Sequence, residues 1–256
     1  MEVLFLGTCA CDFSAKLKDE FLDSFDFDAR RSSSVLLNGN YLIDCGVHTL
    51  QSLKIANVDI SKITDVFITH LHSDHFDVGN ITAIAGSKTN KLRLWVREDT
   101  VLPKMQNVKI MRMKKHIRYK VNNGFYVTGL LANHDENVFP QHFLFEQDGK
   151  KLFYALDGAW LLHETYYFLK NSRLDMLVLD ATIGDYTGDY RIAEHNSIPM
   201  IRLMLPSLKE WGTIAENTLI YLSHIAPSLH KSHKEIEKSV QSDGVKVAYD
   251  GLKVNI

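Results

Sequence analysis

The chain has 256 residues, of which 45% are hydrophobic, and a formal net charge of −2. This apolar fraction suffices for a globular core. The charge balance disfavours a long nucleic acid as partner, and three cysteines are too few for a disulfide scaffold. The sequence contains neither a run of about 18 apolar residues, which would predict a membrane span, nor the pattern of a signal peptide, so we expect no membrane partner and a cytoplasmic location.

Strands and helices alternate in the first half of the predicted structure. The apolar and turn patterns predict strands over 1–7, 33–37, 41–44, 63–69 and 92–97 and helices over 48–56 and 78–87. Strands 33–37 and 41–44 form a predicted hairpin, because Asn38-Gly39-Asn40 is a strong turn signal. Residues 15–31 are predicted to be a loop or short helix over one end of the sheets, and Phe21, Phe25 and Phe27 argue against simple disorder there.

Strands dominate the second half. The patterns predict strands over 125–131, 142–146, 151–156, 174–179 and 219–222, helices over 161–171, 197–212 and 233–240, and a closing strand pair over 245–254. Ser197 is a predicted N-cap of its helix, with Pro199 in the first turn. The closing pair is predicted to turn at Asp250-Gly251. Because no linker is visible, these elements suit one mixed α and β domain.

The segment His70-Leu71-His72-Ser73-Asp74-His75 follows a short apolar run that is predicted to be a strand. A strand points alternate side chains to one face, so His70 and His72 share a direction. The following turn brings Asp74 and His75 toward a neighbouring point, which suits two adjacent metals better than one. Imidazole and carboxylate ligands suit zinc, manganese or iron, and we expect two such divalent ions as cofactors.

This segment resembles the signature of the metallo-β-lactamase superfamily, whose hydrolases hold a di-metal centre between two β-sheets. The resemblance implies an α+β fold, a four-layer αββα sandwich, as a single domain over residues 1–256. It also implies a ligand set, in which each later member follows an apolar run. The first metal would have His70, His72 and His134, the second Asp74, His75 and His224, and Asp157 would bridge them. Such a pair shares a hydroxide, which Asp74 would orient.

Two further residues point to phosphodiester chemistry. Asp180 ends a predicted strand and His195 precedes a predicted helix, as in the phosphodiesterase branch of the superfamily. The resemblance implies that Asp180 orients His195 and keeps it protonated. His195 would then give a proton to the leaving alkoxide or stabilise a phosphoryl oxygen. The predicted catalytic residues are therefore Asp74, Asp180 and His195; the alternative for the last two is a structural pair without chemistry.

Nearly the whole chain resembles PhnP-type phosphodiesterases, which open phosphoribosyl 1,2-cyclic phosphate. The similar segments are 4–8, 42–48, the metal motifs, 133–134, 194–196 and 248–252. One departure concerns the loop 13–31, which lacks the cysteine cluster that binds a structural zinc in those enzymes. We therefore expect no third metal in this loop. The altered loop also leaves the substrate open.

Several functions share these residues. The leading hypothesis is a di-metal phosphodiesterase for a small-molecule phosphodiester, cyclic ones included. A ribonuclease Z-like enzyme that processes transfer RNA is the main alternative, opposed by the net negative charge and the lack of a Gly/Pro-rich basic arm. A thioester or lactam hydrolase of the same fold would not need the Asp180–His195 pair, and a non-catalytic metal-binding module would lack ligands. The oligomeric state stays open, a homodimer included.

Overall fold

The protein is described by a computed structural model over residues 1–19, 23–186 and 188–256. The strands there, in chain order, are β1 Glu2–Gly7, β2 Ser34–Leu37, β3 Tyr41–Ile43, β4 Asp65–Phe67, β5 Leu92–Arg97, β6 Val108–Met113, β7 Arg118–Asn122, β8 Phe125–Leu131, β9 Gln141–Gln147, β10 Lys150–Ala155, β11 Met176–Asp180, β12 Leu219–Ser223, β13 Lys246–Val247 and β14 Lys253–Asn255. The α-helices are α1 Ala15–Asp19, α2 Thr49–Ile55, α3 Val78–Gly86, α4 His163–Phe168, α5 Ile198–Glu210 and α6 His233–Val240.

The strands of these ranges form two seven-stranded sheets. The first has the order β14-β1-β2-β3-β4-β5-β6 and the second β13-β12-β11-β10-β9-β8-β7. In the first sheet β3 to β6 run parallel, and in the second β10 to β13 do. Parallel neighbours need crossover connections, and α2, α3 and α5 lie in such connections. The carboxyl ends of the parallel strands therefore share one edge in each sheet.

Three apolar cores separate four layers. Aromatic side chains fill the space between the sheets, where the Phe67 ring stacks on Trp95 at 5.7 Å between centroids and meets Phe145 edge-on at 5.1 Å. A second core lies between one sheet and the helices α2 and α3, around Leu53 and Ile84. A third packs α5 and α6 on the other sheet. The expected αββα sandwich is confirmed.

Most predicted elements are present with shifted ends. The hairpin of β2 and β3 turns at Asn38 and Gly39, whose φ values of 51° and 72° are those of a tight turn. Ser197 caps α5 as predicted, since its hydroxyl accepts a hydrogen bond from the Met200 amide. In the early loop, the predicted short helix is α1; Phe27 stacks on His233 at 4.9 Å, and Phe21 lies outside the described residues.

Two predictions about strands were wrong or incomplete. The predicted closing pair does not form, because β13 joins β12 in one sheet while β14 joins β1 in the other. The turn at Asp250-Gly251 therefore carries the chain from one sheet to the other. Strands β6 and β7 were not predicted. Each is the outermost strand of its sheet and keeps several exposed side chains. Neither has the apolar run from which the other strands were predicted.

Within the described part of the chain, no helix is both long and apolar enough to span a bilayer.

Candidate metal centre

Three imidazoles converge in a first cluster at the sheet edges. His70 Nε2 lies 3.0 Å from His72 Nδ1, and His134 Nε2 lies 3.2 Å from the same atom. His70 and His72 follow β4, and His134 follows β8. Nitrogen ligands at the usual distance from a tetrahedral zinc ion stand about 3.3 Å apart. The three nitrogen atoms are therefore spaced like the ligands of one metal.

A second cluster lies beside the first. Asp74 Oδ2 is 3.3 Å from His75 Nε2 and 3.5 Å from His224 Nε2, and the two nitrogens are 3.2 Å apart. Asp74 and His75 belong to the turn after β4, and His224 follows β12 in the other sheet. All three residues are buried. This cluster thus takes ligands from both sheets.

Asp157 joins the two clusters. Its Oδ1 lies 3.8 Å from His70 Nε2 and 4.0 Å from His134 Nε2. Its Oδ2 lies 2.9 Å from His75 Nε2 and 3.1 Å from His224 Nε2. Each carboxylate oxygen therefore faces one cluster, as a bridging ligand must. The structure brings together all seven side chains predicted as ligands.

The donor set fits two divalent ions. Five imidazoles and two carboxylates converge in a buried space. Asp157 Oδ2 is inaccessible to solvent and accepts no well-aligned hydrogen bond from the described residues. Burial alone lowers the pKa of His224, but the charges of Asp157 and the contacts with Asp180 and Asp74 raise it to about 10. The site therefore favours positive charge. Its nitrogen and oxygen donors suit zinc, manganese and iron alike.

Residues that the sequence did not point to contact the outer nitrogens of three of the predicted ligand rings. His75 Nδ1 lies 2.8 Å from Asp44 Oδ2, and Thr69 Oγ1 lies 3.0 Å from the Nδ1 of His70. Thr182 Oγ1 lies 2.6 Å from His224 Nδ1. Such contacts fix the ring orientation and tautomer of a metal ligand. Asp44 could have been found, because it also follows an apolar strand.

Three strand-end residues of the site share an unusual backbone. Asp44, Asp157 and His224 have φ values of 58°, 53° and 59°, in the left-handed region that residues other than glycine seldom adopt. Such a conformation costs on the order of 1 kcal/mol and clusters at functional sites. Here it turns the chain sharply where β3, β10 and β12 end. Each of these residues thus lies where its side chain contacts the clusters.

His195 and Asp180 are in direct contact. His195 Nδ1 lies 2.9 Å from Asp180 Oδ2, and the His195 ring lies 5.2 Å from that of His134 and 5.4 Å from that of His224. Burial lowers the pKa of His195, but the charge and hydrogen bond of Asp180 outweigh it and raise this pKa above its usual value. Asp180 Oδ2 is also 3.3 Å from His224 Nδ1, a second contact that was not predicted.

Sequence comparisons match parts of the chain. The family model described as "Anti-Pycsar protein Apyc1" matches residues 32–103. Ribonuclease BN of Proteus mirabilis is 36% identical over 75 residues, which are 29% of this chain and 22% of that protein. Ribonuclease Z of Pseudomonas putida is 33% identical over 124 residues, 40% of this chain and 35% of the relative. The human zinc phosphodiesterase ELAC protein 1 is 35% identical over 79 residues, 30% of this chain and 18% of its own. The matched segments thus span about a fifth to a third of these relatives.

Solved structures match over nearly the full length. The metallo-β-lactamase fold protein YhfI from Bacillus subtilis has a TM-score of 0.75 at 17% identity and covers 99% of this chain and 98% of its own. A diphosphatase from the PhnP family has a TM-score of 0.74 at 19% identity, covering 100% and 97%. Human tRNase Z, short form, has a TM-score of 0.70 at 20% identity, covering 100% and 99%. At these identities the likeness shows the fold. The chain has the metallo-β-lactamase fold, and metal-dependent hydrolases are among the proteins that it resembles.

Proposed function

We propose that the protein is a di-metal phosphodiesterase that hydrolyses a small phosphodiester, cyclic ones included. The observation that carries this proposal is the position of Asp157, whose two oxygens face different histidine clusters. His195 lies beside both clusters with its Nδ1 held by Asp180. A lone metal site would need neither the second cluster nor the bridge. The similarity to proteins named as phosphodiesterases and ribonucleases supports the choice of phosphodiesters.

The seven proposed ligands form two sets that share Asp157. His70, His72, His134 and Asp157 would hold the first ion, and Asp74, His75, His224 and Asp157 the second. When bound, two such ions supply a hydroxide nucleophile at neutral pH and neutralise charge on the phosphoryl oxygens. Asp74 would also accept a hydrogen bond from the attacking water and so orient it.

His195 would donate a proton to the leaving group. Its Nδ1–H donates to Asp180, so the transferable proton is on Nε2. The raised pKa favours the protonated form of the ring, which is the form that a general acid for an alkoxide requires. Asp180 holds the ring in place and stabilises its charge. A thioester or lactam hydrolase of this fold would have no need of the pair.

A transfer RNA precursor is the second candidate substrate, because the curated relatives include ribonucleases at 33% and 36% identity. The net charge of −2 argues against it, since binding of a long nucleic acid depends on neutralising many phosphates. The two candidates differ in salt dependence. The rate of cleavage of a large RNA should fall steeply as ionic strength rises, whereas the rate of hydrolysis of a small diester should change little.

The test is a substrate panel with metal-reconstituted protein. The panel comprises bis-p-nitrophenyl phosphate, a cyclic ribose phosphate, a transfer RNA precursor, a lactam and a glutathione thioester. We expect hydrolysis of the two small diesters and its loss in Asp157→Ala. Turnover confined to the RNA precursor would replace the proposal by the second candidate. Turnover of only the lactam or the thioester would contradict both.

A further inference from the structure

Glu194 lies beside the outer face of the ligand His134. The His134 side chain is 1% exposed, and its Nδ1 is 3.8 Å from Glu194 Oε2. This nitrogen is buried and has no hydrogen-bond partner in the described part of the chain. A buried N–H group without a partner is unfavourable, because it has lost its hydrogen bonds to water. The two atoms are therefore close, but they are too far apart for a hydrogen bond in this structure.

The other buried ligand rings are already supported. The Nδ1 atoms of His70, His75 and His224 lie within hydrogen-bond distance of Thr69, Asp44 and Thr182 respectively. Only His72 presents its Nδ1 to the cluster instead. Metal-bound histidines almost always donate the second ring N–H to a carboxylate, carbonyl or water. Among the rings that use Nε2, His134 alone is without this support in the described structure, and Glu194 is the carboxylate within reach.

We propose that Glu194 is the positioning residue of His134 and that its carboxylate accepts the Nδ1–H hydrogen bond when metal binds. This inference rests on the proposed metal centre. The hydrogen bond fixes the tautomer of His134 with the lone pair of Nε2 toward the first cluster. It also raises the basicity of that nitrogen. Glu194 acts through His134 and touches no substrate.

The required movement is small. The Glu194 side chain is 49% exposed, so its torsions are free to change, while its amide is anchored to the Arg191 carbonyl at 2.9 Å. A charge-assisted N–H···O bond spans about 2.7–2.9 Å, so the carboxylate needs to approach by about 1 Å. His195 follows Glu194 directly and its amide binds the same carbonyl at 2.8 Å. One short segment thus carries both the positioning residue and the proposed proton donor.

The test measures zinc binding without substrate. Metal-free wild type, Glu194→Ala, Glu194→Gln and His134→Ala proteins are titrated with zinc against a chromophoric chelator. We expect Glu194→Ala to weaken the first site by roughly 10–100-fold. Glu194→Gln keeps an acceptor oxygen and should lose less. Glu216→Ala is the matched control, because Glu216 is exposed and pairs only with Lys209 among described residues.

A double mutant separates the proposed contact from general charge effects. If Glu194 acts through His134, Glu194→Ala should add no further loss in the His134→Ala background. Additive losses, or an unchanged affinity in Glu194→Ala, would overturn the inference. A third zinc equivalent in wild type that Glu194→Ala removes would do so too, because Glu194 would then be a ligand. Unchanged zinc binding in His134→Ala would instead contradict the metal centre itself.

Discussion

Among the single residues of the site, Asp180 contacts two histidines. It lies 2.9 Å from His195 Nδ1 and 3.3 Å from His224 Nδ1, and it accepts hydrogen bonds from the amides of Thr182 and Asn196. The neighbouring positive charges and hydrogen bonds outweigh burial and hold its pKa below the usual value. The carboxylate is therefore ionised and fixed. Substitution at Asp180 should affect metal binding as well as catalysis.

His195→Ala should keep both metals but lower kcat by roughly 10²–10⁴ for diesters with poor leaving groups. The loss should shrink for p-nitrophenolate esters, because a good leaving group needs no proton. The measurement is kcat for the two classes of substrate together with the metal content. His163→Ala, at an exposed histidine of α4, is the control. Equal losses for both classes would mean that His195 acts on the phosphoryl oxygens, and no loss would leave it a structural role.

At the scale of elements, the chain after β3 supports the loop that carries the second cluster. The Cys45 amide donates to the His75 carbonyl at 2.8 Å, and the Val47 amide donates to the Ser73 carbonyl at 3.2 Å. Gly46 lies between these contacts, and a Cβ there would stand 1.8 Å from the Asp74 carbonyl oxygen. The close approach of the two backbones requires glycine. The position of Asp74 and His75 thus depends on Gly46, which lies in the connection between β3 and α2.

Gly46→Ala should displace the loop and release metal from the second cluster, with a lower melting temperature. The new methyl group would collide with backbone atoms, which cannot rotate away as a side chain does. Metal content per chain and thermal unfolding measure both effects. Gly86→Ala is the control, because a Cβ at Gly86 meets nothing within 4 Å. Full metal content in Gly46→Ala would show that the loop tolerates the shift.

The elements that the sequence predicted differ from those that it missed in how deeply they are buried. Strands such as β10 and β11 have nearly continuous apolar runs, because both of their faces are covered. The edge strands β6 and β7 lack such runs, because each contains two charged residues and has only one buried side chain. The prediction for the closing segment was wrong for another reason. Its turn at Asp250-Gly251 looks like a hairpin locally, and only the packing of two sheets determines that its strands separate.

At the scale of the whole molecule, Asp250 lies on the segment that connects the two sheets. Its carboxylate accepts hydrogen bonds from Thr8 Oγ1 at 2.8 Å and from the Arg31 amide at 2.7 Å. Burial raises the pKa of Asp250 to about 6, against the opposing effects of these hydrogen bonds and of Arg30. Because the folded-state pKa exceeds the unfolded value, the proton on this group stabilises the fold below pH ~4. That contribution is lost as the pH rises through about 6.

Asp250→Asn should remove this pH dependence, because asparagine resembles the protonated acid. Relative to the variant, the wild type should lose stability between pH 4 and 7, by up to about 3 kcal/mol for a shift of about two units. Chemical denaturation of both proteins across this range measures the difference. Asp148→Asn, at an exposed turn, is the control. A difference that grows in favour of the wild type with rising pH would mean that Arg30 and Arg31 keep Asp250 ionised.

The candidate site was predictable wherever a ligand follows an apolar run. The motif around His70 and the strand-end residues Asp157 and His224 could be found in this way. Asp44 also follows an apolar strand and could be found, but its pairing with His75 could not, and neither could that of Glu194 with His134. The paired residues lie 31 and 60 positions apart, and neither pattern nor spacing connects them. The pairing of a candidate ligand with the residue that orients it is therefore identified only by distance in the fold.

In the proposed function, two metals joined by Asp157 are needed for phosphodiester hydrolysis. The most direct measurement is the rate of bis-p-nitrophenyl phosphate hydrolysis by metal-free protein as manganese or zinc is added in known equivalents. We expect the rate to reach its plateau only at two equivalents per chain, and Asp157→Asn to stay near the metal-free rate at this ratio. A plateau at one equivalent, or a rate that does not depend on added metal, would contradict it.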